Sequence, residues 1–460
     1  LRLRPVVRGK NMEPLVLIHT LRAALESGDL SVLSVRLADT HAADLAGALA
    51  EFSTQHVWQL LSCFPLSTQA DVFSYLPEDK QVELAHNVSR QDFTPVIRQM
   101  SSDERADLFN QLSDAQKQAL LPALAQAERD DVLSLSSYSE GTAGAIMSSD
   151  YAMLSPDLTA AQAIEVLRNE APDKETIYLS YVVDQDRTLI GALSLRELIL
   201  APTYALVDDV MKHDPIHVHV DTAQEEVASL VAKYDLIAIP VVNAQGQLVG
   251  IVTHDDAMDV AAAEATEDFH KTATIGKLEG SVKDAKISLL YRKRVVWLVV
   301  LVFGNIFSGA GLAAFEQIIS EHIALLFFLP LLIASSGNAG AQAGTLMVRA
   351  LATGDIKLRH WGKMLGKEVL VAGLLGITMA LAVYALGYWR GGLDIALVVA
   401  ATMLIVVLVG SLVGLSLPFL LSRFGMDPAT ASGPLITSIA DVAGVVIYFS
   451  IASWYLPALV

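Results

Sequence analysis

One carboxylate stands inside a long apolar stretch near the end of the chain. Asp441 lies in GPLITSIADVAGVVIYF, at residues 433–449. Placing a carboxylate at the centre of a bilayer costs about 2.5–3.5 kcal/mol on insertion scales. A polar cavity, a partner or a cation must offset this cost, and apart from Lys367 at the very start of one stretch the apolar stretches contain no lysine or arginine to pair with it. We therefore favour a cation site, with a hydrogen bond to a neighbouring helix as the alternative.

A second polar element lies at residues 335–342, SSGNAGAQ. Asn338 and Gln342 are four residues apart, so they share one face of a helix. Small residues such as Gly337 allow close approach of helices in membranes. Two interpretations stay open: close helix packing with polar contacts, or the polar wall of a pore. Gly444, just after Asp441, is expected to help its helix bend and pack tightly.

Acidic residues are concentrated in a third segment, at residues 253–271. Asp255 and Asp259, and likewise Glu264 and Asp268, are like-charge pairs four residues apart. Each such pair costs about 0.2–0.5 kcal/mol in an isolated helix. We interpret the segment as a helix neutralised by divalent cations, with a merely solvated acidic helix as the alternative. Hard oxygen ligands favour Mg²⁺ or Ca²⁺.

The composition divides the chain into two contrasting halves. Only 18% of the 460 residues are charged, against about 25% in soluble proteins. Residues 291–460 contain ten basic and seven acidic side chains, a charge of +3. Because the net charge of the whole chain is −18, residues 1–290 carry −21. An acidic surface of this kind excludes a nucleic-acid binder and favours cations as partners. Because Cys63 is the only cysteine, an intrachain disulfide is excluded.

The C-terminal half contains five apolar stretches long enough to cross a bilayer, which takes about 20 residues each. They run over 295–315, 319–336, 366–388, 395–421 and 433–456. Basic residues concentrate before the first stretch and between the second and third. The positive-inside rule then places the N-terminal half in the cytoplasm and the C-terminus outside. Residues 1–12 are interpreted as a loose tail or a cloning remnant.

The acidic half predicts two kinds of domain. Residues 13–137 show apolar positions at helical spacing and predict stacked helical hairpins. Residues 147–200 and 211–262 are an internal repeat with an offset of 64, each copy alternating helices with a strand pair, and they predict two small domains at 138–201 and 202–258. The repeat resembles a tandem CBS pair, which implies an adenine-nucleotide site. Its candidates here are Arg196, Glu197 and Asp256, and the alternative role of the two acids is helix capping and first-turn charge.

The whole order of segments resembles the MgtE family of magnesium channels. The resemblance rests on residues 138–147 (YSEGTAGAIM), 264–268 (EATED), 337–342 (GNAGAQ) and 441–444 (DVAG). It implies a multi-domain fold: an all-α N domain, an α/β CBS pair, an acidic plug helix with its linker at 259–290, and an all-α pore domain of five spans per subunit at 291–460. It also implies a homodimer of the bacterial cytoplasmic membrane, with the pore on the two-fold axis.

The resemblance further implies a transporter or channel that takes up Mg²⁺, is gated by cytoplasmic Mg²⁺, and is not an enzyme. Asp441 would bind the ion in the pore, and regulatory ions would bind Glu225, Asp235, Asp256, Asp259, Glu264, Glu267 and Asp268. ATP is a possible further ligand. A broader transporter of Mn²⁺, Co²⁺ or Ni²⁺ and a membrane-anchored nucleotide or ion sensor stay open. An intramembrane metalloprotease is excluded because no His-Glu-x-x-His occurs.

Overall fold

Short helices make up the N-terminal region. The computed structural model describes residues 14–30, 33–171, 174–276 and 285–456, so the tail at 1–12 and part of the linker lie outside the described residues. The helices are α1 (Pro14–Ser27), α2 (Leu33–Arg36), α3 (Ala42–Leu49), α4 (Thr54–Leu61), α5 (Leu66–Ser74), α6 (Glu78–Asn87), α7 (Arg90–Gln99), α8 (Ser102–Gln111), α9 (Asp114–Leu120) and α10 (Gln126–Leu135). Leu45, Leu60 and Phe73 are fully buried in their common core. The helical spacing of apolar residues therefore reports this core correctly.

Two α/β units follow. The first contains β1 (Tyr151–Leu154), α11 (Ala160–Glu170), β2 (Thr176–Val183), β3 (Leu189–Ser194), α12 (Leu195–Leu200), α13 (Val207–Val210) and β4 (Lys212–His213). The second contains β5 (Val218–His219), α14 (Gln224–Tyr234), β6 (Ala238–Val242) and β7 (Leu248–Thr253). In each unit the first strand pairs in parallel with the second, and the second pairs antiparallel with the third. The shared topology confirms the predicted repeat.

The two strand–turn–strand elements close in the same way. Asp184 Oδ1 accepts hydrogen bonds from the backbone N–H groups of Asp186 (2.9 Å) and Thr188 (2.8 Å). Asn243 Oδ1 accepts equivalent bonds in the second unit. The left-handed position of the turn is Gly246 (φ 76°) in one copy and Arg187 (φ 64°) in the other. Because non-glycine residues rarely adopt this conformation, Arg187 is an unusual choice.

The acidic segment is one continuous helix, α15 (His254–Thr272). It begins directly after β7, with Asp255 and Asp256 in its first turn. The boundary between the two compact units of the chain falls within α15, between Ala262 and Ala263. The helix therefore belongs partly to each unit.

The second compact unit of the chain, Ala263–Val460, is helical. After α15 it contains α16 (Ile287–Ala314), α17 (Glu316–Glu321), α18 (Ala324–Ala352), α19 (Trp361–Arg423) and α20 (Gly433–Tyr455). Among the described residues, four helical segments are long and apolar enough to cross a membrane. The 63 residues of α19 far exceed the roughly 20 that one crossing needs. Gly392 (φ 79°, ψ −170°) breaks the helix between the predicted third and fourth spans. The count of five spans stays a prediction.

Glycines bring α18 and α19 into close contact. A Cβ atom placed on Gly414 would overlap the backbone carbonyl of Gly340, and one on Gly410 would overlap that of Ser336. Ser336 Oγ also donates a hydrogen bond to the Val406 carbonyl oxygen (2.8 Å). Helices in lipid associate through such packing and interhelical hydrogen bonds, since lipid tails remove the hydrophobic driving force. The crossing thereby fixes the helix that carries Asn338.

Candidate functional site

Asp441 lies where α20 crosses α18. On one side of it, Thr437 of α20 packs against Gly337, where a Cβ would come within 2.9 Å of the threonine methyl group. On the other side, Gly444 faces Ile333, and a Cβ on this glycine would lie 3.8 Å from the isoleucine side chain. Asp441 is half-buried between these two contacts. Within the described residues its carboxylate has no hydrogen bond and no ion pair, so the structure does not support the alternative of a bond to a neighbouring helix.

The two faces of α18 have separate roles at this crossing. Gly337, Gly340 and Gly344 are buried against neighbouring helices. Asn338 and Gln342 are both exposed. Close packing therefore belongs to the glycines, and the two amides are left free to contact water, an ion or another protein chain.

A second group of functional candidates, a cluster of carboxylates, lies in the first compact unit of the chain, Leu1–Ala262. Asp103 and Asp256 act electrostatically on Glu175, which lies just before β2. Carboxylates from the start of α15, from α8 and from the first α/β unit therefore form one acidic cluster. Five acidic side chains line one cavity of about 590 Å³ there: Asp71, Glu104, Asp150, Glu175 and Asp255. We call these five, together with Asp103 and Asp256, the acidic cavity.

Burial and mutual repulsion raise the pKa values of these carboxylates. Partial burial and then the neighbouring Asp103 raise the pKa of Asp256 to about 7, against the lowering effect of its hydrogen bond from Thr253. Desolvation, Asp103 and Asp256 raise the pKa of Glu175 to about 8. Burial also raises the pKa values of Asp103 and Glu104. A cation bound in the cavity would relieve the repulsion and favour the charged forms.

Sequence reasoning identifies only part of this cavity. Asp256 is a predicted ligand, but Glu175 and Glu104 are not, because Glu175 lies in no acidic run and Glu104 has the position of a first-turn helix charge. Within the described residues, no three histidine, cysteine, aspartate or glutamate side chains converge tightly enough for a directly coordinated metal. The arrangement suits a hydrated ion held through its water molecules.

The other predicted regulatory residues occupy separate positions. Glu225 lies in the first turn of α14, and Asp235 ends that helix in the left-handed conformation (φ 51°). Asp259 follows Asp256 on α15. The part of α15 that belongs to the second unit carries Glu264, Glu267 and Asp268. The role of all these residues as ligands stays a prediction.

A lysine at the end of α15 bridges two carboxylates of the second unit. Lys271 Nζ lies 2.7 Å from Glu267 Oε1 and 2.5 Å from Asp427 Oδ2. Desolvation lowers the pKa of Lys271, but the two carboxylates outweigh it and raise that pKa above its ordinary value. Asp427 precedes α20, the helix of Asp441. The bridge thus ties α15 to the segment that leads into α20, and no sequence signal indicates it because the two residues are 156 positions apart.

Two of the predicted nucleotide residues, Arg196 and Glu197, lie at the start of α12. Ser194 and Glu197 form a capping box, and Lys212 lies 3.3 Å from Glu197. Arg196 is exposed. The structure thus shows the capping role of Glu197, and nucleotide binding by this pair stays a prediction.

Apolar membrane-length helices, an unpaired carboxylate at a helix crossing and a separate acidic unit define a membrane cation-transport protein. Family models agree: residues 329–451 match MgtE, a divalent cation transporter, residues 40–141 match the MgtE intracellular N domain, and residues 143–203 and 207–263 match CBS domains. The chain belongs to the MgtE family of divalent cation transporters.

Individual relatives are similar over most of the chain. The magnesium transporter MgtE of Thermus thermophilus is 37% identical over 95% of this chain and 98% of its own length. That of Enterococcus faecalis is 36% identical over 72% of each chain. A crystal structure of the cytosolic domain of the Mg²⁺ channel MgtE in complex with ATP is 36% identical, with a TM-score of 0.51, and covers 53% of this chain and 99% of its own. The predicted family, CBS pair and non-enzymatic class are confirmed.

Proposed function

We propose that this chain carries Mg²⁺ across the bacterial cytoplasmic membrane along a path that includes Asp441. The observation that carries the proposal is the unpaired carboxylate of Asp441 at the α18–α20 crossing. Mg²⁺ gives up its water reluctantly, so a single carboxylate per chain would hold it through its hydration shell. Weak binding of this kind also lets the ion leave, which conduction requires. Asn338 and Gln342 would add polar contacts along the same path.

A homodimer would complete this site. In α16 none of the described residues is buried within the chain, and large side chains such as Phe303 and Phe307 are exposed. Lipid or a second copy must cover such a surface. A two-fold pore would bring two Asp441 carboxylates to one ion and double the negative charge there. The N-terminal unit would then lie in the cytoplasm and the C-terminus outside, as the distribution of basic residues predicts.

Flux measurements on liposomes test the role of Asp441. Purified full-length protein is reconstituted, and Mg²⁺ influx is followed with an internal fluorescent indicator. We expect wild-type influx and its loss in Asp441→Ala. Asp394→Ala is the matched control, because Asp394 is another carboxylate of the apolar half but lies beside the Gly392 break. Influx that survives Asp441→Ala would remove this residue from the path, whereas no influx in wild type would favour a sensor without transport.

We further propose that Mg²⁺ in the cytoplasm closes this path by binding in the acidic cavity. The raised pKa values reflect burial together with repulsion among carboxylates from three parts of the chain. Bound Mg²⁺ would bridge them and hold the first unit closed, and Glu225, Asp235 and the acids of α15 would bind further ions.

Two amide substitutions test this closure. Replacing Glu175 and Asp256 together by their amides should shift closure to higher Mg²⁺, because the cavity then attracts the cation less strongly. A Glu165→Gln control removes an exposed acid elsewhere in the first unit. The readout is Mg²⁺ influx as a function of Mg²⁺ concentration on the side of the first unit. Equal closure in wild type, double variant and control would contradict the proposal.

Two finer points rest on the same family membership. ATP binding near Arg196 and Glu197 is supported by the ATP complex of a relative's cytosolic domain. Titration of the full-length chain with ATP, comparing wild type with Arg196→Ala, tests it. Competition by Mn²⁺, Co²⁺ and Ni²⁺ in the influx assay tests the alternative of a broader divalent transporter.

A further inference from the structure

A cleft of about 530 Å³ lies in the first unit between the N-terminal helices and the α/β repeat. Its lining comes from α8, α10, the approach to β1, and the turns before β3 and β7. Its volume is in the range of small-molecule sites, which span about 300–1,000 Å³. The predicted nucleotide residues Arg196 and Glu197 do not line it. It is therefore separate from the site predicted for ATP.

Two arginines line this cleft, and each lacks an ion pair among the described residues. Arg105 on α8 is only 8% exposed, and its Nε has no hydrogen-bond partner in the described chain. Arg187 reaches the same cleft from the turn between β2 and β3. Within the described part of the chain, neither guanidinium lies within 4.0 Å of a carboxylate. A buried N–H group without a partner is rare and costly, so an absent acceptor is the simplest physical explanation.

The structure holds Arg187 in place. Its residue adopts the left-handed conformation, and Nη2 donates to Tyr151 Oη at 2.9 Å. Tyr151 Oη in turn donates to the Leu248 carbonyl oxygen at 3.0 Å. The chain of bonds orients the guanidinium toward the cleft before any ligand binds, which lowers the entropic cost of binding.

The carboxylates of the cleft have partners of their own. Oδ1 of Asp131 accepts from Ser149 Oγ at 2.6 Å. Oδ2 of Asp150 accepts from the Ser102 N–H at 3.2 Å, and Oε2 of Glu128 accepts from a backbone N–H at 2.8 Å. The charge of Arg105 favours the ionised form of Asp131, but neither guanidinium forms an ion pair among the described residues, so both keep donors for a ligand. Arg105, on α8, also lines the acidic cavity, so it forms part of the wall between the cleft and that cavity.

The lining of the cleft indicates two features of its ligand, an anionic group and an apolar part. Guanidinium groups bind phosphate through paired, charge-assisted hydrogen bonds. We propose that this cleft binds a small phosphate monoester, with the phosphate between Arg105 and Arg187 and the organic part against an apolar wall. That wall is formed by Leu135, Tyr138, Met147 and Leu248.

Calorimetric titration of the full-length protein in detergent tests the proposal, with phenyl phosphate and inorganic phosphate as probes and EDTA present to remove Mg²⁺. We expect phenyl phosphate to bind with a dissociation constant of about 1 mM or lower, and inorganic phosphate to bind more weakly because it lacks the apolar part. Arg105→Gln and Arg187→Gln should each weaken binding about tenfold or more. Arg90→Gln, which removes an exposed arginine outside the cleft, should leave it unchanged, and Arg196→Gln reports instead on the site predicted for ATP.

Folding is checked by the melting temperature of each variant. If Arg105→Gln fails to fold, Arg187→Gln still decides the matter, because Arg187 is exposed at the edge of the cleft. No binding of phenyl phosphate by wild type would overturn the proposal. So would binding by both cleft variants that equals that of wild type, or a loss confined to Arg196→Gln, which would place the phosphate in the CBS motif. The assay measures no transport, so its failure is distinct from failure of the proposed function.

Discussion

The two units of this chain use carboxylates in opposite ways. The second unit places one half-buried carboxylate, Asp441, at a crossing built from glycine and small side chains. The first unit gathers seven carboxylates in and around one cavity, where they raise the pKa values of one another. A lone site depends on the packing that positions it, whereas a cluster depends on its total charge. Damage to packing should therefore abolish the first kind of site, and loss of single charges should only weaken the second.

The largest effect is expected at the α18–α19 crossing. Gly414→Leu would force a side chain into the Gly340 backbone, and overpacking costs about 1–3 kcal/mol even where side chains can adjust. Because the obstacle here is backbone, we expect the upper end of that range or more, and loss of folded protein on size-exclusion chromatography. Gly373→Leu, on the same helix but with nothing within 4 Å of its Cβ position, is the control. Equal yields of both variants would show that the crossing tolerates separation.

The acidic cavity predicts a pH effect of definite sign. Asp256 and Glu175 have pKa values of about 7 and 8 in the folded protein, above their ordinary values of 3.8 and 4.5. The folded protein therefore binds more protons than the unfolded chain between about pH 4 and pH 8, so stability falls as pH rises through this window. Without divalent cations, the melting temperature should be higher at pH 6 than at pH 8.

Added Mg²⁺ should reduce that difference, because the cation takes over the role of the protons. The double variant of Glu175 and Asp256 to their amides should show a flatter pH dependence in its absence. A melting temperature that rises with pH in EDTA would contradict the assigned repulsion.

A smaller effect is expected where α15 meets the segment before α20. Lys271→Gln removes the bridge to Glu267 and Asp427 and leaves two acids close to Asp268, whose pKa burial and Asp427 already raise. We expect a destabilisation of about 1 kcal/mol, since the lysine is partly exposed. Thermal melting of the variant is compared with that of Arg168→Gln, which breaks an exposed ion pair within α11 and should change little. Indistinguishable melting of the two variants would mean that the bridge is no stronger than a surface ion pair.

The smallest effect is expected for a single hydrogen bond at the tight crossing. Ser336→Ala removes the donor to the Val406 carbonyl without adding volume. Interhelical hydrogen bonds in membranes contribute about 0.6 kcal/mol on average. We expect a shift in melting temperature near the limit of detection, in contrast to Gly414→Leu. A large loss of stability would show that polar contacts, and not close packing, hold α18 against α19.

Local sequence patterns were sufficient to predict the main secondary-structure elements of this fold. Apolar spacing predicts the helical core around Leu45 and Leu60, and the offset of 64 predicts two α/β units with the same strand pairing. The hydrophobic run that contains Asp441 predicts a membrane helix with a carboxylate in it. Each of these features depends on periodicity or on residues close in sequence, so it can be recognised without knowing the tertiary contacts.

Contacts between residues far apart in the sequence could be identified only from the tertiary structure. Glu175 joins α8 and α15 in the acidic cavity, Lys271 meets Asp427, and Arg105 shares a cleft with Arg187. None of these pairings has a sequence signal, because folding brings together residues that no local spacing relates. The order of amino acids alone specifies which residues carry charge and which segments are apolar enough for a membrane. Folding settles which charges meet, and hence whether a carboxylate has no charged partner within its chain, as is the case for Asp441 among the described residues, or belongs to a repelling group.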